Sequence, residues 1–344
     1  MRKYQLFIGI DISKLWIDVC VSLDGNKSHM VHKRYDNADN GFRAMLGFIQ
    51  KHQGFQCCKS KWIVCMEHTG IYTLPLCKFL EKKAINYTLI NAHHLNKSLG
   101  LRRGKSDPAD AADIARYAYR FEDELKLTKL PSDKLLIIKN LLSLRHRLVK
   151  YKSGLSVAAK ELEDFAPNAL SKDVVAFSKQ NIKQHHKTIQ AIEKKIVTHI
   201  EQDAELSRLY DLLLSITGVG FVIAATMIVY TLAFTAFPNS RKFATYIGFA
   251  PFAKSSGTSL NAPAAVSYLA HKKLKGLLSC GASSAIVWDK ELNAYYHRQI
   301  EKGKNKFKVR NAVRNKFLHR IFAVVKRGTP FVKIEEFRSQ TAKI

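Results

Sequence analysis

Carboxylates are scarce in this chain, 28 aspartates and glutamates against 56 lysines and arginines, so the places where they gather are informative. Asp11 ends the run Phe7-Ile8-Gly9-Ile10-Asp11, and Glu67 ends Trp62-Ile63-Val64-Cys65-Met66-Glu67. Both runs have the composition of buried strands, and the two-residue period of a strand puts Asp11 on the same face as Gly9. Two carboxylates at the ends of strands in one sheet repel each other unless a divalent cation such as Mg²⁺ or Mn²⁺ sits between them. Further on, Lys105-Ser106-Asp107-Pro108-Ala109-Asp110-Ala111-Ala112-Asp113 brings three more acids to the start of a helix. Asp107 and Asp110, three residues apart, share a face, and Asp113 is rotated by about 120° from Asp107. A purely structural reading stands beside the metal-binding one: Asp107 caps the helix ahead of Pro108, and Asp110 and Asp113 complement its dipole. Arg102, Arg103 and Lys105 lie just before these acids, where they suit the backbone of a polyanionic substrate. Gly104-Lys105-Ser106 is not a phosphate-binding P-loop, because the position five before Gly104 is Leu99. Ser256, followed by Gly257, reads on its own as a turn residue.

The elements that must position these groups change character along the 344 residues. Phe7–Ile10, Trp16–Leu23, Ile63–Met66 and Tyr87–Ile90 read as strands, and Asn40–His52 and Thr73–Lys83 as helices between them, with Pro75 in a first turn. The economical arrangement is a sheet with helices packed on it. From Asp107 the pattern turns helical. Ser132–Phe165 carries Leu135, Ile138, Leu141, Leu142, Leu144 and Leu148 on one stripe; Lys172–Gln202 carries Val175, Phe177, Ile182, Ile189, Ile192 and Ile196, and Pro167 separates the two. They read as a coiled-coil-like hairpin joining two domains, or as one domain's core. The expected organisation is an α/β domain over 1–128, a helical hairpin over 129–208 and a mostly helical domain over 209–344.

Leu212 to Ser240 holds no charged residue and is long enough to cross a bilayer. Gly218 and Gly220 fit a loop between two buried helices better than the middle of one span, so no membrane partner is expected. Gly218-Val219-Gly220 is open to two readings, a tight helix–helix turn or backbone N–H groups that bind phosphate at a helix start. Near the end, Lys302, Lys304, Lys306, Lys308, Arg310, Arg314, Lys316, Arg320, Lys326 and Arg327 follow a single acid, Glu301, with Phe307, Phe317 and Phe322 among them. Together with Lys272 and Lys273, this tract points to phosphate contact rather than a merely solvated face. A formal net charge of +28 in a chain that is 47% hydrophobic excludes extensive disorder and implies a folded protein with a polyanionic partner. None of the six cysteines forms a Cys-x-x-Cys pair, and the start lacks a signal peptide, which leads to the expectation of a cytoplasmic bacterial protein.

A strand-end aspartate, a strand-end glutamate and a helical Asp-x-x-Asp resemble the four-carboxylate site of the ribonuclease H-like fold. The resemblance sharpens along the chain. Gly9-Ile10-Asp11-Ile12-Ser13-Lys14, Asp18-Val19, Met66-Glu67-His68-Thr69-Gly70-Ile71-Tyr72 and Lys105-Ser106-Asp107-Pro108-Ala109-Asp110-Ala111 look like the insertion sequence 110 family of transposases and its relative, the pilin-gene invertase. Ile216-Thr217-Gly218-Val219-Gly220, Phe243-Ala244-Thr245-Tyr246-Ile247-Gly248-Phe249-Ala250-Pro251 and Ser255-Ser256-Gly257 match that family's second domain in order and spacing. The resemblance spans roughly residues 5 to 290. It implies a resolvase-like (RuvC-like) N-terminal domain in which Asp11, Glu67, Asp107 and Asp110 bind metal, and a C-terminal domain in which Ser256 is the nucleophile toward a DNA phosphodiester. It also implies an oligomer, dimer or tetramer, in which the tetrad of one subunit meets the serine of another, and an element-encoded guide RNA that selects the element's ends and the target DNA. The chain departs from the family after the Ser-Gly pair, where it reads Thr258-Ser259-Leu260-Asn261-Ala262-Pro263, and in the apolar helix, where it has Tyr230. Two other readings remain: a nuclease that uses the carboxylates and water, and a basic nucleic-acid-binding protein without catalysis.

Overall fold

The computed structural model describes residues 2–51, 57–98, 100, 106–256, 260–266 and 270–332. The chain divides into two compact units, Met1–Leu130 and Pro131–Ile344.

In the first unit, strands β1 (Leu6–Ile12), β2 (Trp16–Ser22) and β3 (Val31–Asp36) precede helix α1 (Asp39–Lys51). Strand β4 (Trp62–Glu67), helix α2 (Leu74–Lys82), strand β5 (Tyr87–Ile90) and helices α3 (Ala92–Ser98) and α4 (Asp107–Arg120) complete it. The sheet order is β3-β2-β1-β4-β5, antiparallel from β1 to β3 and parallel from β1 to β5. This is the α/β architecture expected of a ribonuclease H-like domain. Alternation along β1 sorts its side chains. Leu6, Ile8, Ile10 and Ile12 pack with Phe42, Met45 and Ile49 of α1 and Leu76 and Leu80 of α2, whereas Phe7 packs with Ile114 and Tyr117 of α4. Gly9 lies on the α4 side. A Cβ there would stand 2.2 Å from both Ala111 O and Ala115 N, so the missing side chain is what lets the α4 backbone lie directly on the sheet. Strand β3 escaped the sequence reading because Val-His-Lys-Arg-Tyr-Asp is an exposed edge, with only Tyr35 buried.

In the second unit, α5 (Asp133–Phe165) and α6 (Asn168–Glu201) form the expected hairpin, each about 50 Å long at 1.5 Å per residue. The base of the hairpin is core: Leu135, Ile138, Ile192, Ile196 and Ile200 are buried with the helices that follow. Leu144 and Phe177, placed on the apolar stripes from sequence, are instead exposed, Phe177 by 67%. Helices α7 (Ala204–Leu214), α8 (Phe221–Tyr230), α9 (Ser240–Ile247), α10 (Lys272–Trp288), α11 (Lys290–Glu301) and α12 (Lys306–Arg327) surround that core. Between α9 and α10 lies an antiparallel hairpin, β6 (Pro251–Ser256) and β7 (Leu260–Val266), inside a region whose sequence reads as mostly helical. The uncharged stretch resolves into short helices, with Ile223 through Val229 buried in α8, and no helix among the described residues is long and apolar enough to cross a membrane. Of the cysteines, Cys20, Cys65 and Cys77 are buried, while Cys58 and Cys280 are exposed.

Gly218 turns the chain from α7 into α8 at φ +93°, and a Cβ there would meet Gly281 O of α10 at 2.5 Å. Reciprocally, a Cβ on Gly281 would meet Gly218 O at 2.8 Å. The close approach of two glycine backbones accounts for Gly218 as a packing residue, while Gly220 has open space beside it and precedes α8. Gly218→Ala should cost about 2–4 kcal/mol, combining a left-handed backbone with overpacking against a rigid helix. A shift of the denaturation midpoint at unchanged m-value checks it.

Candidate active site

The parallel register that pairs Gly9 with Cys65 and Ile10 with Met66 carries Asp11 and Glu67 to the same end of adjacent strands. Helix α4 crosses that end of the sheet over Gly9, so its first turn, with Asp107 and Asp110, comes to the same place. Ser106, not Asp107, is the cap, and Asp107 is the first helical residue. The helix dipole favours acids there. Asp11 is the crowded one: burial, then Asp110, Asp107, Glu67 and Asp18 in decreasing order, push its carboxyl up to about 6 from 3.8.

Asp18 is the group the sequence reading missed. It lies across from Asp11 in the antiparallel register of β1 and β2 and is 1% exposed. Its charge is matched from the edge strand: His32 Nε2 lies 2.8 Å from Oδ1, Arg34 Nε donates to both oxygens at 3.2 and 3.1 Å, and the Arg34 NH2 nitrogen is 2.9 Å from Oδ2. Arg34 also donates to Asp107 Oδ2 at 2.9 Å, tying the edge strand to the start of α4. The signal was present in Asp18-Val19, but only strand pairing gives it a neighbour. Asp113 is 6% exposed and forms an ion pair with Lys27.

The donors around Asp11 are all carboxylate oxygens, the ligand type that Mg²⁺ and Mn²⁺ require. Among the described residues no three His, Cys, Asp or Glu side chains stand close enough to hold one ion. The donor chemistry therefore suits a hard divalent cation, while the side chains as they stand do not form a closed coordination set. In the second unit, Ser256 ends β6, where its backbone pairs with Leu260 of β7. Arg102, Arg103 and Lys105 lie outside the described residues.

Comparison with known proteins supplies the context. A DEDD-type IS110 transposase model matches residues 8–161, and a model for the transposase IS116/IS110/IS902 family matches residues 210–297. The chain belongs to the IS110 family of transposases. The first match contains Asp11, Glu67, Asp107 and Asp110, and the second contains Ser256. The pilin gene-inverting protein of Moraxella bovis is 26% identical over 344 residues, covering 96% of this chain and 98% of that protein. The pilin gene-inverting protein of Moraxella lacunata matches to the same extent. An uncharacterized 43.6 kDa protein of insertion element IS110 from Streptomyces coelicolor is 30% identical over 144 residues, 42% of this chain and 34% of that protein. The enzyme class is thus DNA transposase or recombinase, a DNA-binding protein whose family suggests a divalent metal.

In this transposase the basic tract divides into two kinds of residue. Lys304, Lys306, Lys308 and Arg310 are exposed at the start of α12, with Phe307 beside them 78% exposed. Lys304 also donates to Gln299 Oε1 at 2.6 Å. Arg314 is half-buried, and burial together with Arg310 holds its guanidinium below its ordinary value. Lys272 and Lys273 are exposed in the first turn of α10. Phe317 and Phe322, by contrast, belong to the core and not to an aromatic face for bases. Arg320 is structural too: 11% exposed, it reaches Asp289 at 2.6 Å and Glu291 at 2.8 Å, and Asp289 in turn caps α11 by accepting from Leu292 N. Arg320→Ala should lose about 3–5 kcal/mol by leaving Asp289 buried and unpaired. Lys308→Ala should leave stability unchanged and lower the salt slope of DNA binding by about 1. Denaturant titration and binding at several salt concentrations separate the two.

Proposed function

We propose that the chain cuts and rejoins the DNA of a mobile element through a covalent link to Ser256, with Asp11, Glu67, Asp107 and Asp110 as the metal-binding tetrad. The observation that carries the metal-site part of this reading is that β1, β4 and the first turn of α4 bring Asp11, Glu67, Asp107 and Asp110 to one end of the sheet. A bound Mg²⁺ or Mn²⁺ would neutralise the scissile phosphate and the charge that develops on it. Asp11 and Glu67 offer donors from rigid strands, and Asp107 and Asp110 from the first turn of a helix. Arg34, bound to Asp18 and Asp107, holds the α4 carboxylate in register with the sheet.

In the proposed step the Ser256 hydroxyl oxygen forms a bond to phosphorus as the sugar oxygen leaves. The proton lost by the serine is balanced by the one gained by the departing hydroxyl. The phosphoserine ester keeps the bond energy, so attack by a new strand's hydroxyl reverses the step and frees the serine. The exposed lysines and arginines of α10 and α12 hold the phosphate backbone. A guide RNA, and an oligomer in which one subunit's tetrad meets another's serine, belong to the same reading on the strength of the family resemblance. The full-length similarity to pilin gene-inverting proteins favours a recombinase that rejoins what it cuts.

The test is a denaturing gel of labelled DNA carrying the element's joined ends, with Mg²⁺ and any co-purifying RNA, for wild type, Asp11→Ala and Ser256→Ala. A protein-linked DNA band that requires metal and is lost in both variants is the expected result. Free cleaved ends that persist in Ser256→Ala would overturn the serine mechanism in favour of a nuclease that uses water.

A further inference from the structure

Within the second unit, α5, α8 and α10 enclose a cavity of about 240 Å³. Its wall is apolar, formed by Leu142 of α5, Val222 of α8 and Leu277 of α10. Its rim is cationic: among the described residues Lys139 and Lys273 are exposed there with no carboxylate partner and no acid lines the cavity. Arg145, also on the rim, is held by Glu193 at 2.6 Å. His146 also lines the cavity, and burial first, then the charges of Lys273, Lys150 and Arg145, push its imidazole below its ordinary value. Tyr230 adds an aromatic wall, fixed edge-on by His271 at 5.1 Å.

An apolar floor beneath unpaired cations calls for an occupant with a flat apolar body and a negative charge attached to it. The cavity is smaller than the roughly 300–1,000 Å³ of pockets that hold drug-sized molecules, and no duplex enters it. One unstacked base with its phosphate has both the size and the charge. We propose that this cavity receives a single unpaired nucleotide of the nucleic acid the protein handles, its base against Leu142, Val222 and Leu277 and its phosphate between Lys139 and Lys273. The inference rests on the functional reading above and adds to it a preference for a strand with one base out of the stack.

The test uses the full chain and three oligonucleotides: a perfect duplex, the same duplex with one unpaired nucleotide, and the latter with an abasic residue at that place. Wild type should bind the bulged duplex ~10-fold tighter than the perfect one and lose most of that preference on the abasic DNA. Val222→Phe, which fills the cavity, and Lys139→Gln, an exposed rim change that leaves the core untouched, should each bring the bulged-to-perfect ratio toward one. A ratio near one in wild type, or a ratio kept by both variants, overturns the inference while duplex binding leaves the functional reading standing. Loss of binding to all three oligonucleotides in wild type would overturn that reading as well.

Discussion

Replacing Asp11 by asparagine should abolish DNA strand breakage and, in the same protein, raise the stability of the metal-free fold near neutral pH. The activity loss is expected at ~10³-fold or more, since a metal-binding group contributes several kcal/mol of transition-state charge stabilisation. The stability gain follows from the crowding. Folding lifts the Asp11 carboxyl from 3.8 to about 6, so the fold disfavours its charged form. The cost is absent below the unfolded value, grows as pH rises from about 4 to about 6, and is fully present above that. At about pH 8 the variant should be more stable by about 1–1.5 kcal/mol, half of what the shift alone would imply, because solvent screens a half-buried group. The difference should vanish below about pH 4. Thermal unfolding of both proteins across pH checks the sign. Added Mg²⁺ should then stabilise wild type by mass action and leave the variant nearly unmoved, a readout that needs no DNA. Equal stability of the two proteins at every pH, with or without Mg²⁺, would remove the carboxylate cluster as a metal site.

Gly9→Ala should also lower activity although it touches no reacting group. Its Cβ would lie 2.2 Å from Ala111 O and Ala115 N, both backbone atoms inside α4, so neither side chain rotation nor local relaxation relieves the clash. The helix must move off the sheet by about 1 Å, at a cost of about 3 kcal/mol or more. Asp107 and Asp110 ride on that helix, and a displacement of this size lowers rates by about 100-fold when it misplaces catalytic groups. The expected result is a folded, less stable protein with little cleavage. Because its four carboxylates are intact, raising the Mg²⁺ concentration should restore part of its activity, which it should not do for Asp11→Asn.

The placement of the candidate carboxylates was largely legible because its signals are local. An apolar run closed by an acid marks Asp11 and Glu67 at strand ends, and Asp-Pro-x-Asp marks the start of α4, where proline and acids are both favoured by the geometry of a first turn. The long hairpin was legible for the same reason, through apolar residues repeating near the helical period from Leu135 to Leu148 on one arm and from Val175 to Ile196 on the other. Other features were hidden. Asp18 acquires meaning only when β2 folds back on β1 and sets it opposite Asp11, and β3 has no apolar period to announce it, being held by backbone pairing and by the grip of His32 and Arg34 on Asp18. Arg320 looked like one more cation of a basic tract until α11 brought Asp289 to it.

What could be read along the chain, then, was the class of chemistry: a basic protein with four carboxylates at element ends and the motifs of a transposase, because composition, periodicity and capping act over a few residues. Which carboxylates meet, which cations are tied to buried acids and which are open to phosphate, and where a cavity forms between three helices separated along the chain depended on the packed fold, since those are properties of distance in space that neither spacing nor composition encodes.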